Sequence, residues 1–263
     1  GITGGHCSDN NLLPPEYGIS GEGVADGPWA ARTAVRRNIK YGADLIKTCS
    51  TGGVLSKGTR VGAPQYTVEE LTALVDEAHS RGLKVASHAH GAQGIINALH
   101  AGADTIEHAS FIDEEGIRLA IANNAALSMD IYVTEYILGE GAGAGILEES
   151  LEKERMTGST QRANFRKAVE AGATIVYGTD AGVYPHGQNA KQFSRMTRFG
   201  MTPLQAIQSA TMTAADVMGL GYEVGKIEAG YTADFVAVKG NPLDTIELLE
   251  SPSYVIKGGI RVR

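Results

Sequence analysis

The chain has 263 residues, 43% of them apolar, enough to bury a sizeable core in one or two domains. A net charge of −7 argues against a nucleic-acid partner, which would favour a basic face, and no apolar run is long enough to span a bilayer. Two cysteines, Cys7 and Cys49, make no disulfide framework, so a reducing cytoplasm is the expected setting.

The chain opens at Gly1 without an initiator methionine, and GITGG reads as the tail of a strand entering a loop, as in a piece of a longer protein. Residues 27–41 have the pattern of an amphipathic helix with proline in its first turn. The apolar run 42–49 then reads as a buried strand, followed by a glycine-rich loop at 50–65 that is long enough to act as a lid. Thr67 and Glu70 form a capping-box signature at the start of a helix over 67–82. The cycle repeats: strand 84–90, helix 92–102, strand 104–110, helix 113–124 and strand 126–134. A long charged helix over 148–171, strand 174–180, and helices at 192–199 and 202–218 complete this part. Such alternation predicts a parallel sheet of about five strands where a closed barrel needs eight, so three would lie upstream. After Leu220 the segments 224–238 and 254–263 alternate like strands and predict part of a small β-domain.

Four of the strand-like runs end on residue types that bind metals: Lys47, His88, His108 and Asp180. A parallel barrel gathers its strand ends at one face, so these side chains would converge there on divalent ions. Each has a plainer reading. Lys47 could pair with a neighbouring acid or act as a Schiff-base nucleophile, His108 could be a core histidine, and Asp180 could be an N-cap. His88 and His90 alternate along one strand and face the same way, so either could be the ligand. His6, Tyr132 and His186 lie on loops or strand ends facing the same mouth; Tyr132 could donate a hydrogen bond to substrate or pack beneath a loop. His79 and His100 fall in helix patterns and read as surface or packing residues, and Cys49 has no paired base that would make it a nucleophile.

Taken together, ITGGH, IKTCSTGGV, SHAHG, IEHAS, GTDAGV and the tail GKIEAGYTADFVAV resemble the amidohydrolase superfamily. The branch they resemble is the imidazolonepropionase-like, Xaa-Pro dipeptidase type that includes ochratoxin-hydrolysing amidases. The resemblance implies a (β/α)8 TIM-type barrel, here lacking its first strands. Residues 1–220 would be the C-terminal portion of the barrel, and 221–263 would contribute to a small β-sandwich domain. It further implies two Zn2+ ions bridged by a carboxylated Lys47 and a hydroxide. His88 and His108 would bind one ion, while Asp180 would bind the other and move the proton. His90 would stand near the substrate, with His6, Tyr132 and His186 as further substrate contacts. The His-x-His pair of the family's first barrel strand is absent from these residues, which leaves the second metal site incomplete without the missing N-terminal part.

The implied activity is hydrolysis of a small-molecule amide: a dipeptide, an N-acyl amino acid or an ochratoxin-type amide, by a homo-oligomeric enzyme. A mononuclear deaminase or cyclic-amide hydrolase of the same superfamily, a Schiff-base lyase using Lys47, and a non-catalytic or degenerate subunit are the alternatives.

Overall fold

The computed structural model describes residues 1–8 and 23–263. Strand and helix alternate through most of it: α1 (Pro28–Lys40), β1 (Leu45–Cys49), α2 (Val68–His79), β2 (Lys84–Ala89), α3 (Ala92–Ala101), β3 (Thr105–His108), α4 (Glu114–Ala122) and β4 (Ala126–Ser128). Next come α5 (Val133–Gly139), α6 (Glu148–Glu170), β5 (Ile175–Val176), α7 (Lys191–Arg198), α8 (Pro203–Ser209) and α9 (Met212–Val217). The first five strands form one parallel sheet in the order β1-β2-β3-β4-β5. Parallel neighbours cannot be joined by tight hairpins, so each connection crosses over through a helix.

Helices start where the local chemistry supports them. Pro28 sits in the first turn of α1, where its missing N–H costs nothing. The Thr67 hydroxyl accepts from the Glu70 backbone while Glu70 reaches back to the Thr67 N–H, closing the capping box of α2. Asp113 caps α4 by accepting from the Gly116 N–H. Apolar faces of α1 to α4 then cover one side of the sheet, with Val85, Ile106, Leu127, Leu99, Leu71 and Phe165 in a continuous buried core. At the rim of this layer Arg36 of α1 makes two hydrogen bonds of 2.8 Å to Glu77 of α2.

Four local expectations are corrected. The strand anticipated over 126–134 stops at Ser128, because Asp130 turns toward His108 and Val133 already begins α5. The helix anticipated over 202–218 breaks at Thr211, whose φ of −124° and ψ of −102° separate α8 from α9. In the tail only β6 (Phe235–Ala237), β7 (Tyr254–Lys257) and β8 (Ile260–Arg261) are strands, forming an antiparallel sheet in that order, while GKIEAGY turns. Finally, Cys7 and Cys49 are joined as a disulfide with their Cα atoms 6.1 Å apart, although their number had suggested reduced thiols. No described helix is long and apolar enough to cross a membrane.

Candidate metal centre

At the C-terminal edge of the parallel sheet lies a cavity of about 260 Å³. His6, Lys47, His88, His90, His108, Asp130, Glu154 and Asp180 supply its polar lining. Sheet register explains part of this convergence. Lys47 pairs with Ala86 and Cys49 with His88, so adjacent strands deliver their ends at one level. His90 follows two residues after His88 and therefore faces the same way.

His108 needs a different device. It pairs with Ala89, which faces the helix layer, so an unbroken pleat would send its ring away from His88. Its φ of 67°, followed by 47° at Ala109, breaks the alternation. The ring instead lies 4.6 Å from that of His88 and stacks on His90 at 4.7 Å. Asp180 also has a positive φ, 49°, four residues beyond the end of β5. Non-glycine residues in this region are costly unless the surroundings hold them, and they gather at functional sites.

The surroundings here are visible. Asp130 Oδ1 lies 3.0 Å from His108 Nδ1, and Gln161 of α6 donates to both Asp130 Oδ1 at 3.0 Å and the His108 carbonyl at 3.1 Å. His90 Nδ1 lies 2.8 Å from Ser110 Oγ, and the His90 N–H donates to Thr51 Oγ1. His6 packs its ring 4.2 Å from His88 and bonds Ser56 Oγ through Nδ1. A Cβ on Gly53 would stand 2.7 Å from His6 Nδ1, so the second glycine of STGGV admits that ring.

Burial pushes His88 and His90 well below the ordinary histidine pKa, aided by His108, and pushes His6 down to about 4. These imidazoles are therefore neutral, the form that donates a lone pair to a metal. Burial also opposes charge on His108, but the Asp130 carboxylate and its hydrogen bond outweigh it and raise the pKa. Asp180 is raised by burial and then by Asp130, although it stands at the cavity's open rim. Glu154 is pushed up to about 7 by burial.

The nitrogen atoms of His88, His90 and His108 lie within 4.8 Å of one another, as do the ligand atoms of His108, Asp130 and Asp180. Three neutral or carboxylate-braced imidazoles beside acidic oxygens suit a hard-to-borderline divalent ion. The donor set fits the metal anticipated from sequence, with His90 standing among the donors as closely as His88. Lys47 lines the cavity but is exposed, because β1 is an edge strand of the described sheet.

Tyr132 and His186 lie apart from this cluster. Tyr132 is buried against Tyr184 and bonds Gln188 through its hydroxyl, and His186 is exposed on a turn. His79 is exposed and pairs with Asp104 at 2.8 Å, and His100 is exposed on α3. Sequence reasoning did not single out Asp130, Gln161 or Glu154. The single pointer to Asp130 was a carboxylate interrupting the apolar run ALSMDIYVT.

Imidazoles and carboxylates crowded at the C-terminal edge of a parallel sheet make a donor set suited to divalent metal ions. The chain belongs to the Amidohydrolase family, whose profile matches residues 4–262. It is similar to ochratoxinase of Aspergillus niger, 35% identical over 256 residues that make up 94% of this chain and 53% of that protein. Among solved structures, a Xaa-Pro dipeptidase with methionine bound in its active site superposes with a TM-score of 0.91 at 40% identity, covering 100% of this chain and 66% of that one. A prolidase complexed with N-methylphosphonate-L-proline gives 0.90 at 29% identity, covering 100% of this chain and 67% of that one. The chain thus spans about half the length of the curated relatives it matches.

Proposed function

We propose that the chain carries most of the active site of a metal-dependent hydrolase that cleaves the amide bond of a dipeptide or N-acyl amino acid. The observation that carries this reading is the cluster of His88, His90 and His108, two of them held neutral by burial and the third braced by Asp130. The ochratoxinase and dipeptidase likenesses support amide chemistry. Two Zn2+ ions are the proposed cofactors, with His88, His108, Asp180 and a carboxylated Lys47 as ligands. When bound, such ions polarise a carbonyl and lower the pKa of water toward about 7.

The chain's own residues then divide the remaining work. Asp130 keeps the proton on His108 Nδ1, which leaves Nε2 free to donate its lone pair. The Asp180 carboxylate accepts the proton that water releases as its oxygen adds to the carbonyl carbon. It delivers that proton to the amide nitrogen as the C–N bond breaks, so that a free amine departs and an acid remains. His6 and His90 would border the acyl group, and Val54 and Leu55 of the glycine-rich loop line the same cavity. Tyr132 and His186, proposed from sequence as substrate contacts, would act from outside the lining.

The same reading assigns 1–220 to a (β/α)8 barrel whose remaining strands, with the His-x-His pair, lie outside these residues, and 221–263 to a small β-sandwich. Metal analysis with a hydrolysis assay tests it. Two zinc ions per active chain, loss of turnover in chelator and its return with added zinc are expected. One ion per chain would favour a deaminase-like centre, and Lys47→Arg with full turnover and full metal would remove the carbamate from the scheme.

A further inference from the structure

The glycine-rich loop beside the cavity carries contacts that the chemistry above leaves without a task. Its base is fixed: the Gly52 N–H donates to the Ala63 carbonyl at 3.0 Å, and Thr59 Oγ1 closes the neck by donating to the Gly53 carbonyl at 3.2 Å. Thr59 is buried, and so is Val54, which lines the cavity. The tip is different. Leu55, Lys57 and Gly58 are exposed, so apolar burial does little to hold these residues down.

Bonds from α6 reach the tip instead. Lys153 Nζ donates to the Ser56 carbonyl at 2.8 Å and pairs with Glu149, one turn earlier, at 2.7 Å. Glu149 in turn accepts from the Gly58 N–H at 3.0 Å. The Lys153 side chain is only 14% exposed, so the pair is less screened than one standing free in solvent. Ser56 passes the contact inward, because its Oγ bonds His6 Nδ1 and the His6 ring packs 4.2 Å from that of His88. The same helix carries Gln161, which bonds Asp130 and the His108 carbonyl. From 153 to 161 a helix rises about 12 Å, so α6 keeps the loop tip and the His108–Asp130 pair a fixed distance apart.

We propose that Lys153 and Glu149 are positioning residues for substrate binding: they latch the loop tip onto α6 and, through Ser56, hold His6 at the cavity. This rests on the amide-hydrolase reading for what the cavity binds, while the latch itself does not depend on it. With the latch formed, Val54 stays in the wall and His6 stays beside His88. When it opens, the tip lifts about its fixed base, and the cavity loses both side chains and is free to admit or release a ligand. Neither Lys153 nor Glu149 touches the reacting atoms, so breaking the latch acts on KM rather than on kcat.

Lys153→Met tests this, because it removes the bond to Ser56 and leaves both partners of the Gly58–Glu149 bond in place. In the full chain, deuterium exchange of the Gly58 amide should quicken by about fivefold or more, with the amides of β2 and β3 unchanged as the control for folding. In zinc-loaded protein, KM for alanyl-proline should rise by a similar factor with kcat little altered, and Lys153→Arg should restore both exchange and KM. Glu149→Ala should raise KM in the same way. Unchanged Gly58 exchange in folded Lys153→Met protein overturns the latch. An unchanged KM, or a loss confined to kcat, overturns its role in binding. Absence of hydrolysis by the wild type, with Gly58 exchange responding as expected, would instead defeat the amide-hydrolase reading and leave the latch standing.

Discussion

The His108–Asp130 pair joins a strand-end imidazole to a buried carboxylate in the cavity wall. Asp130 is 4% exposed, and its oxygen is shared between His108 Nδ1 and Gln161 Nε2. Asp130→Asn would replace a charged acceptor with an amide and free the imidazole to rotate. Zinc affinity should fall by about 10- to 100-fold, read by competition with a chromogenic chelator. His88 and His90 were legible in the sequence because a two-residue spacing on a strand puts side chains on one face. His108 was legible by type, but its orientation was not, because the positive φ that turns it depends on neighbours over fifty residues away, such as Gln161. Asp130 was illegible as a brace for the same reason: nothing local distinguishes it from any acid ending an apolar run.

At the level of elements, helices were readable where caps and apolar spacing agreed, as at Thr67 and Glu70, and misread where tertiary contacts prevailed, as at Tyr132 and Thr211. The pairing of α1 with α2 is more than apolar contact. Glu77 has a side chain only 6% exposed and is held by Arg36, with Arg32 and Arg81 nearby. The Arg36 hydrogen bonds outweigh burial and keep its pKa below the ordinary glutamate value. A depressed carboxylate contributes stability above its unfolded pKa of about 4.3, and that contribution is lost as pH falls through the folded value. With Arg36 more than half exposed the pair is screened, so Glu77→Gln should cost up to about 1 kcal/mol at pH 7 and less as the pH falls below about 4.3, as measured by urea unfolding of both proteins.

Across the whole molecule, the described sheet has two free edges, at β1 and β5, and the tail sheet leaves Ile260 and Val236 exposed at 70% and 58%. Both features fit the proposal that further strands complete a barrel and a sandwich, and they place Lys47 at an edge where those strands would enclose it. The disulfide between Cys7 and Cys49 spans a separation of 42 residues and ties the segment carrying His6 to the strand carrying Lys47. Reduction should lower stability by about 2–4 kcal/mol, seen as a drop in Tm with dithiothreitol that Cys7→Ser reproduces without it. A second consequence concerns bookkeeping of ions. The sulfurs of Cys7 and Cys49 and a nitrogen of His6 lie within 4.8 Å of one another, so opening the bond would leave two sulfurs and an imidazole within reach of one ion, a donor set that suits zinc. A preparation kept under strong reductant would then report surplus metal unrelated to turnover, and only an oxidised sample would give the stoichiometry of the working centre.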